Sequence, residues 1–82
     1  MPTVLVVDGF AVRVYLPPRE HRPPHVHVVK SDSEVVILLG GPGAPPAVRE
    51  VHGMRDADVV RAYRIVEAHR DALLEAWSRY HD

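Results

Sequence analysis

The residues best suited to chemistry are concentrated at Glu20-His21-Arg22-Pro23-Pro24-His25-Val26-His27-Val28, which holds three of the six histidines. Imidazole titrates near neutral pH and binds transition metals through neutral nitrogen, so a cluster of histidines points to proton transfer or to metal ligation. His25 and His27 stand two apart. On a strand that spacing places them on one face, with Val26 and Val28 on the other. Pro23 and Pro24 cannot be helix interior and hold the approach extended. The sequence therefore predicts two imidazoles presented together at solvent by a stiff lead-in.

Three uses compete for that pair. The first is metal-free RNA cleavage, which needs a base for the 2′-hydroxyl, an acid for the leaving oxygen and a cation for the phosphorane charge. His25 and His27 would be base and acid, Arg22 and Arg13 the cations, and Tyr15, on the face of Arg13, could stack a base. The second is a divalent metal such as zinc held by His25 and His27, with His21, Glu20 or His52 as third ligand. The third is a binding module without a reaction. There His25 hydrogen-bonds a backbone carbonyl and His27 lies half exposed beside a helix.

Eighty-two residues make one domain, 1–82, of modest stability. A hydrophobic share of 46% is that of a globular protein. Net charge is −1, which argues against a nucleic-acid groove and weighs against the nuclease reading. The basic residues are scattered, and the arginines after residue 54 are interleaved with acids, as on a solvated, salt-bridged face. With no cysteine, disulfides, thiolate nucleophiles and cysteine-based zinc sites are excluded. No apolar run reaches the ~20 residues that span a bilayer. The N-terminus lacks the basic and cleavage regions of a signal peptide, so a cytoplasmic location without a membrane is expected.

The elements that would position the pair follow from periodicity. Residues 3–8 are β-branched, Asp8-Gly9 is a hairpin turn, and residues 10–16 alternate with period 2. Residues 25–30 form a third strand, 31–33 a polar turn and 34–39 a fourth. Residues 40–46 read as a glycine- and proline-rich loop without the Lys-Ser/Thr of a P-loop. Residues 47–52 form a weak fifth strand. From Asp56, the expected N-cap, to Tyr80 there is no Gly or Pro. Val59, Tyr63, Val66, Leu73, Trp77 and Tyr80 mark one apolar stripe. The predicted fold is α+β, a mostly antiparallel sheet of four to five strands with one long C-terminal helix on one face. The predicted core is Val4, Val6, Phe10, Val12, Val14, Val26, Val28, Val35, Ile37, Val59, Tyr63, Val66, Leu73 and Trp77.

Such a helix would be ~37 Å long against strands of ~20 Å. It must overhang unless it breaks near His69-Arg70. An overhang carrying Trp77 and Tyr80 would be covered by a second subunit, giving a homodimer through the C-terminal helix, or by the sheet edge. His52 reads as an exposed loop residue. His69 could face the sheet, and His81 reads as solvated at a frayed end.

The Asp8-Gly9-Phe10 turn, the run Pro23-Pro24-His25-Val26-His27-Val28 and the tail from Val66 through His69-Arg70 to Leu73-Leu74-Glu75-Ala76-Trp77 together resemble the small bacterial domain-of-unknown-function family 4160, over nearly the whole chain. That resemblance implies a component of a two-gene, toxin–antitoxin-like module. Its partner would be an antitoxin-like protein, usually of a second small family, 2442, and this chain would be the toxin-like member.

Overall fold

The computed structural model describes residues 3–15 and 22–81. Five strands form one antiparallel sheet: β1 (Thr3–Val7), β2 (Phe10–Arg13), β3 (His25–Lys30), β4 (Ser33–Leu38) and β5 (Ala47–His52). Their spatial order is their chain order, a meander. Two helices follow, α1 (Asp56–Ala68) and α2 (Arg70–His81). The α+β class and the antiparallel sheet are as expected. The helical region differs, because one long helix is replaced by two.

The break falls at His69, with φ −114° and ψ 19°. There the ring Nδ1 donates to the carbonyl of Ile65, 2.9 Å away, and the backbone N–H is shared between the carbonyls of Ile65 and Val66. A side chain that takes a carbonyl of the last turn offers the backbone an alternative to further helix. Arg70 adds an anchor from the far side of the break, its guanidinium donating to the carbonyl of Gly41. α2 therefore turns, and Trp77, 1% exposed, is buried within the chain. The overhang that called for a second subunit on the C-terminal helix does not arise.

The turn at Asp8-Gly9 has positive φ at both residues, 51° and 82°, as a two-residue hairpin matched to strand twist requires. It sets Val7 opposite Phe10, Val6 opposite Ala11 and Leu5 opposite Val12. Val6 thus points away from the core and is 66% exposed, contrary to expectation. An irregularity between Thr3 and Leu5 then shifts the register, and Val4 packs against the core from its margin. β2 ends at Arg13, and β4 begins at Ser33, one residue earlier than expected.

Strand alternation gives the sheet two distinct faces. Val12, Val28 and Val35 stand side by side on one, with Val26 and Ile37 in the next row. Ala62 and Val66 of α1 and Leu73 and Trp77 of α2 join these side chains in the core. Leu39, Met54 and Ala62, none of them anticipated, are buried there too, while Val59 and Tyr63 are only partly covered. The other face carries three rows, one of them His25, Leu38 and Ala47. Val6, Ala11, Val29, Glu34 and His52 form the second, and Thr3, Arg13, His27, Val36 and Glu50 form the third.

The start of α1 is not capped by Asp56. Arg55 is the N-cap, without a side-chain bond, and Asp56 and Asp58 lie in the first turn. Asp58 pairs with Lys30 of β3 at 3.3 Å and with Arg55 at 3.5 Å, fastening the helix start to the sheet. Burial works against ionisation of Asp58. The bond to Lys30 and the charges of Lys30 and Arg55 outweigh it and hold the carboxyl below the usual carboxylate range.

A candidate histidine site on the sheet

His25 and His27 share a face of β3, their ring centroids 5.5 Å apart and their planes at 62°. Their surroundings differ. His25 is 3% exposed. Its Nδ1 donates to the carbonyl of Pro23 at 2.8 Å, and its ring lies 5.0 Å from the indole of Trp77. A carbonyl only accepts, so Nδ1 carries the proton and Nε2 the lone pair of the neutral ring. The expectation of two rings presented together at solvent therefore fails for His25, because the turn at His69 brings Trp77 over it.

His27 retains partial exposure, 14% for the side chain, and its Nδ1 lies 2.5 Å from Glu34 Oε2. The two residues are diagonal neighbours across β3 and β4, His27 opposite Val36 and Glu34 opposite Val29. A carboxylate on Nδ1 fixes the ring orientation and leaves Nε2 as the basic atom of the neutral ring. Tyr15 meets His27 edge to face, with centroids 4.3 Å apart. Arg13 stands directly opposite His27 on β2.

The double proline does more than stiffen the approach. The Pro23 carbonyl holds His25, and the Pro24 carbonyl accepts the N–H of Leu39, continuing the β3–β4 ladder by one bond. Arg22, on the same lead-in, is exposed. Glu20 and His21, expected as a third metal ligand, lie outside the described residues. Among the described residues, no three His, Asp or Glu side chains come together as metal ligands. His52, the other candidate, is exposed and bonds Glu50 Oε1 at 3.0 Å.

Two contributors escaped the sequence reading. Glu34 read only as the first residue of a strand. The hairpin pairing of β3 with β4 is what brings it to His27. His81 is not solvated at a frayed end. Its ring stacks on Trp77 at 3.6 Å and 10°, and its Nε2 donates to the carbonyl of Tyr15 at 2.8 Å. The i, i+4 spacing of Trp77 and His81 on one helix was the available signal. A chain of contacts thus runs from Tyr15 through His27, His25, Trp77 and His81 and back to Tyr15. A hollow of about 360 Å³ lies elsewhere, among Lys30, Ser31, Ser33, Gly53, Arg55 and Asp58.

Taken together, these features define a small α+β domain with a histidine–carboxylate pair on a β-meander and an aromatic brace beneath it. The chain belongs to the family described as Domain of unknown function (DUF4160), whose family model matches residues 9–78. That match takes in both histidines, Glu34, Trp77 and the helix break. No curated protein matches the chain, and no solved structure does. No helix among the described residues is long and apolar enough to cross a membrane.

Proposed function

We propose that this chain is the toxin-like component of a bacterial toxin–antitoxin-type module, cytoplasmic and held in check by a small cognate antitoxin-like protein, with RNA as its target. The observation that carries the chemical part is the contact of His27 Nδ1 with Glu34 Oε2 at 2.5 Å. Glu34 holds the Nδ1 proton and the ring orientation. Nε2 of His27 then takes the proton of the attacking 2′-hydroxyl. Arg13, opposite His27, supplies positive charge for the phosphorane, with Arg22 entering from the lead-in. Tyr15, beside His27, offers a ring on which a base stacks. The leaving 5′-oxygen takes its proton from water. His25, buried and bonded to Pro23, lies between His27 and Trp77 and positions the His27 ring instead of reacting.

The test is expression of the chain alone in a bacterial host, followed by incubation of the purified protein with RNA. Expected are growth arrest and fragments ending in 2′,3′-cyclic phosphate. Both should be lost in His27→Ala and strongly reduced in Glu34→Gln, with the circular dichroism of each variant unchanged. Arrest that survives both changes sinks the catalytic reading.

One observation favours a second reading, a protein-interaction module without a reaction. The imidazole of His25 is spent on the Pro23 carbonyl and on Trp77, a structural use of half the pair. In a metal-binding variant of that reading, His25, His27 and His21 would hold zinc. Protein never exposed to a nickel column would then carry about one equivalent of metal, as a single site requires.

A further inference from the structure

Strand β5 is an edge strand, and all six of its residues are exposed. Its register against β4 sets Val51 opposite Val35, Glu50 opposite Val36, Val48 opposite Ile37 and Ala47 opposite Leu38. Arg49 is the extra residue of a bulge between the Glu50 and Val48 pairs. Val48 and Val51 consequently share the helix-bearing face, although three residues apart. Ala47, Glu50 and His52 share the open face. The ion pair of Arg49 Nε with Glu50 Oε2 at 3.7 Å puts Arg49 on that face as well.

From Ala47 to His52 the faces therefore read open, helix, open, open, helix, open. That order is the same in both directions. The four central residues follow the same symmetry, with Val48 and Val51 second from each end and the opposite charges of Arg49 and Glu50 between them, while the end residues Ala47 and His52 differ. We infer that the exposed edge of β5 pairs antiparallel with β5 of a second copy of this chain, about a two-fold axis that passes between the two strands level with the Arg49–Glu50 peptide. Arg49 then faces Glu50 of the second copy, twice, on the open face. Val48 faces Val51 of the second copy, twice, on the helix face. Every directly opposed pair lies on a common face, as an antiparallel ladder demands. In this register neither mismatched faces nor like charges stand opposite one another.

Burial supplies a second argument. The large hydrophobic side chains left exposed among the described residues are Val6, Val48, Val51 and Val60. Two of these are the β5 valines. Val60 lies one helical turn before Tyr63, whose hydroxyl bonds the Pro46 carbonyl at the foot of β5. An axis perpendicular to the sheet keeps the helices of both copies on one face and sets Val48 and Val51 of the two copies against each other, an isologous contact. Six paired residues fall short of the about 1,200 Å² typical of stable complexes, so the dimer is weak and forms with rising concentration.

Sedimentation velocity over a concentration series tests this. Wild-type protein should move from monomer to dimer. Arg49→Glu sets like charges against Glu50 of the second copy and should weaken association about tenfold or more. Glu50→Arg should do the same with arginines. An equimolar mixture of the two variants should associate again, and the double change R49E/E50R should recover the wild-type curve. Both side chains are about half exposed, 46% and 49%, so each variant should fold. Val51→Lys, which keeps the central charges, should also weaken the dimer. Wild-type protein that stays monomeric throughout overturns the inference. So does a dimer that ignores the charge changes, since it uses another surface.

Discussion

The indole of Trp77 and the imidazole of His81 lie stacked with their centroids 3.6 Å apart, and the same imidazole donates to the carbonyl of Tyr15 at the end of the first hairpin. One ring therefore closes the helix onto the sheet while the other fills the core beneath His25. His81→Ala should remove the bond and the stack, costing about 1 kcal/mol. Trp77→Ala should cost about 3–5 kcal/mol and loosen His25 as well. Urea unfolding curves followed by circular dichroism measure both. Equal losses for the two changes would refute this division of labour.

The carboxyl of Asp58 titrates below its ordinary range because Lys30 and Arg55 face it. Its stabilising effect is full above the unfolded-state value, about 3.9, and is lost as pH falls through the lower folded-state value. Lys30→Met should raise the folded-state value, shrink that stabilisation and move acid unfolding to higher pH. An acid titration of wild type and variant followed by far-ultraviolet circular dichroism checks the direction.

Gly40 has φ of +75°, and a Cβ placed there would meet the carbonyl oxygens of Ala44 and Pro45 at 2.5 and 2.7 Å. Gly40→Ala should therefore destabilise by about 1–3 kcal/mol, from strain and crowding together. Gly43, also at positive φ, has open space around a Cβ, so Gly43→Ala should cost less. Thermal melts of the two variants rank them.

His25 should carry its neutral-form proton on Nδ1, because the Pro23 carbonyl 2.8 Å away can only accept. Two-bond proton–nitrogen correlation spectra at a pH where the ring is neutral read the tautomer directly. A proton on Nε2 instead would mean that the bond to Pro23 is not formed in solution.

Much of the sheet could be read from local pattern. Asp8-Gly9 marks its turn, and the alternation after it marks the buried face of β2, because both signals act over a few residues. The same turn also fixed the register of β1, since a two-residue loop must set Val7 against Phe10. Reading β1 by composition alone therefore put Val6 inside when it lies outside. The helix break was half legible: a single helix would overrun the strands unless it broke near His69-Arg70, but what decided it was the reach of Arg70 to Gly41, 29 positions away. The site was legible only as a pair of histidines on one face. That Glu34 joins His27, and that Trp77 closes over His25, depends on strand pairing and helix direction. Neither is written at the histidines themselves.

Because sheet order follows chain order, each strand finds its neighbour across a short segment, and the meander has low contact order and should form early in folding. The bond from His81 to Tyr15 spans 66 positions and can form only once most of the chain is in place. α2 should thus be the last element to dock and the first to release, so that opening at the C-terminal helix uncovers His25 while the rest of the protein stays folded.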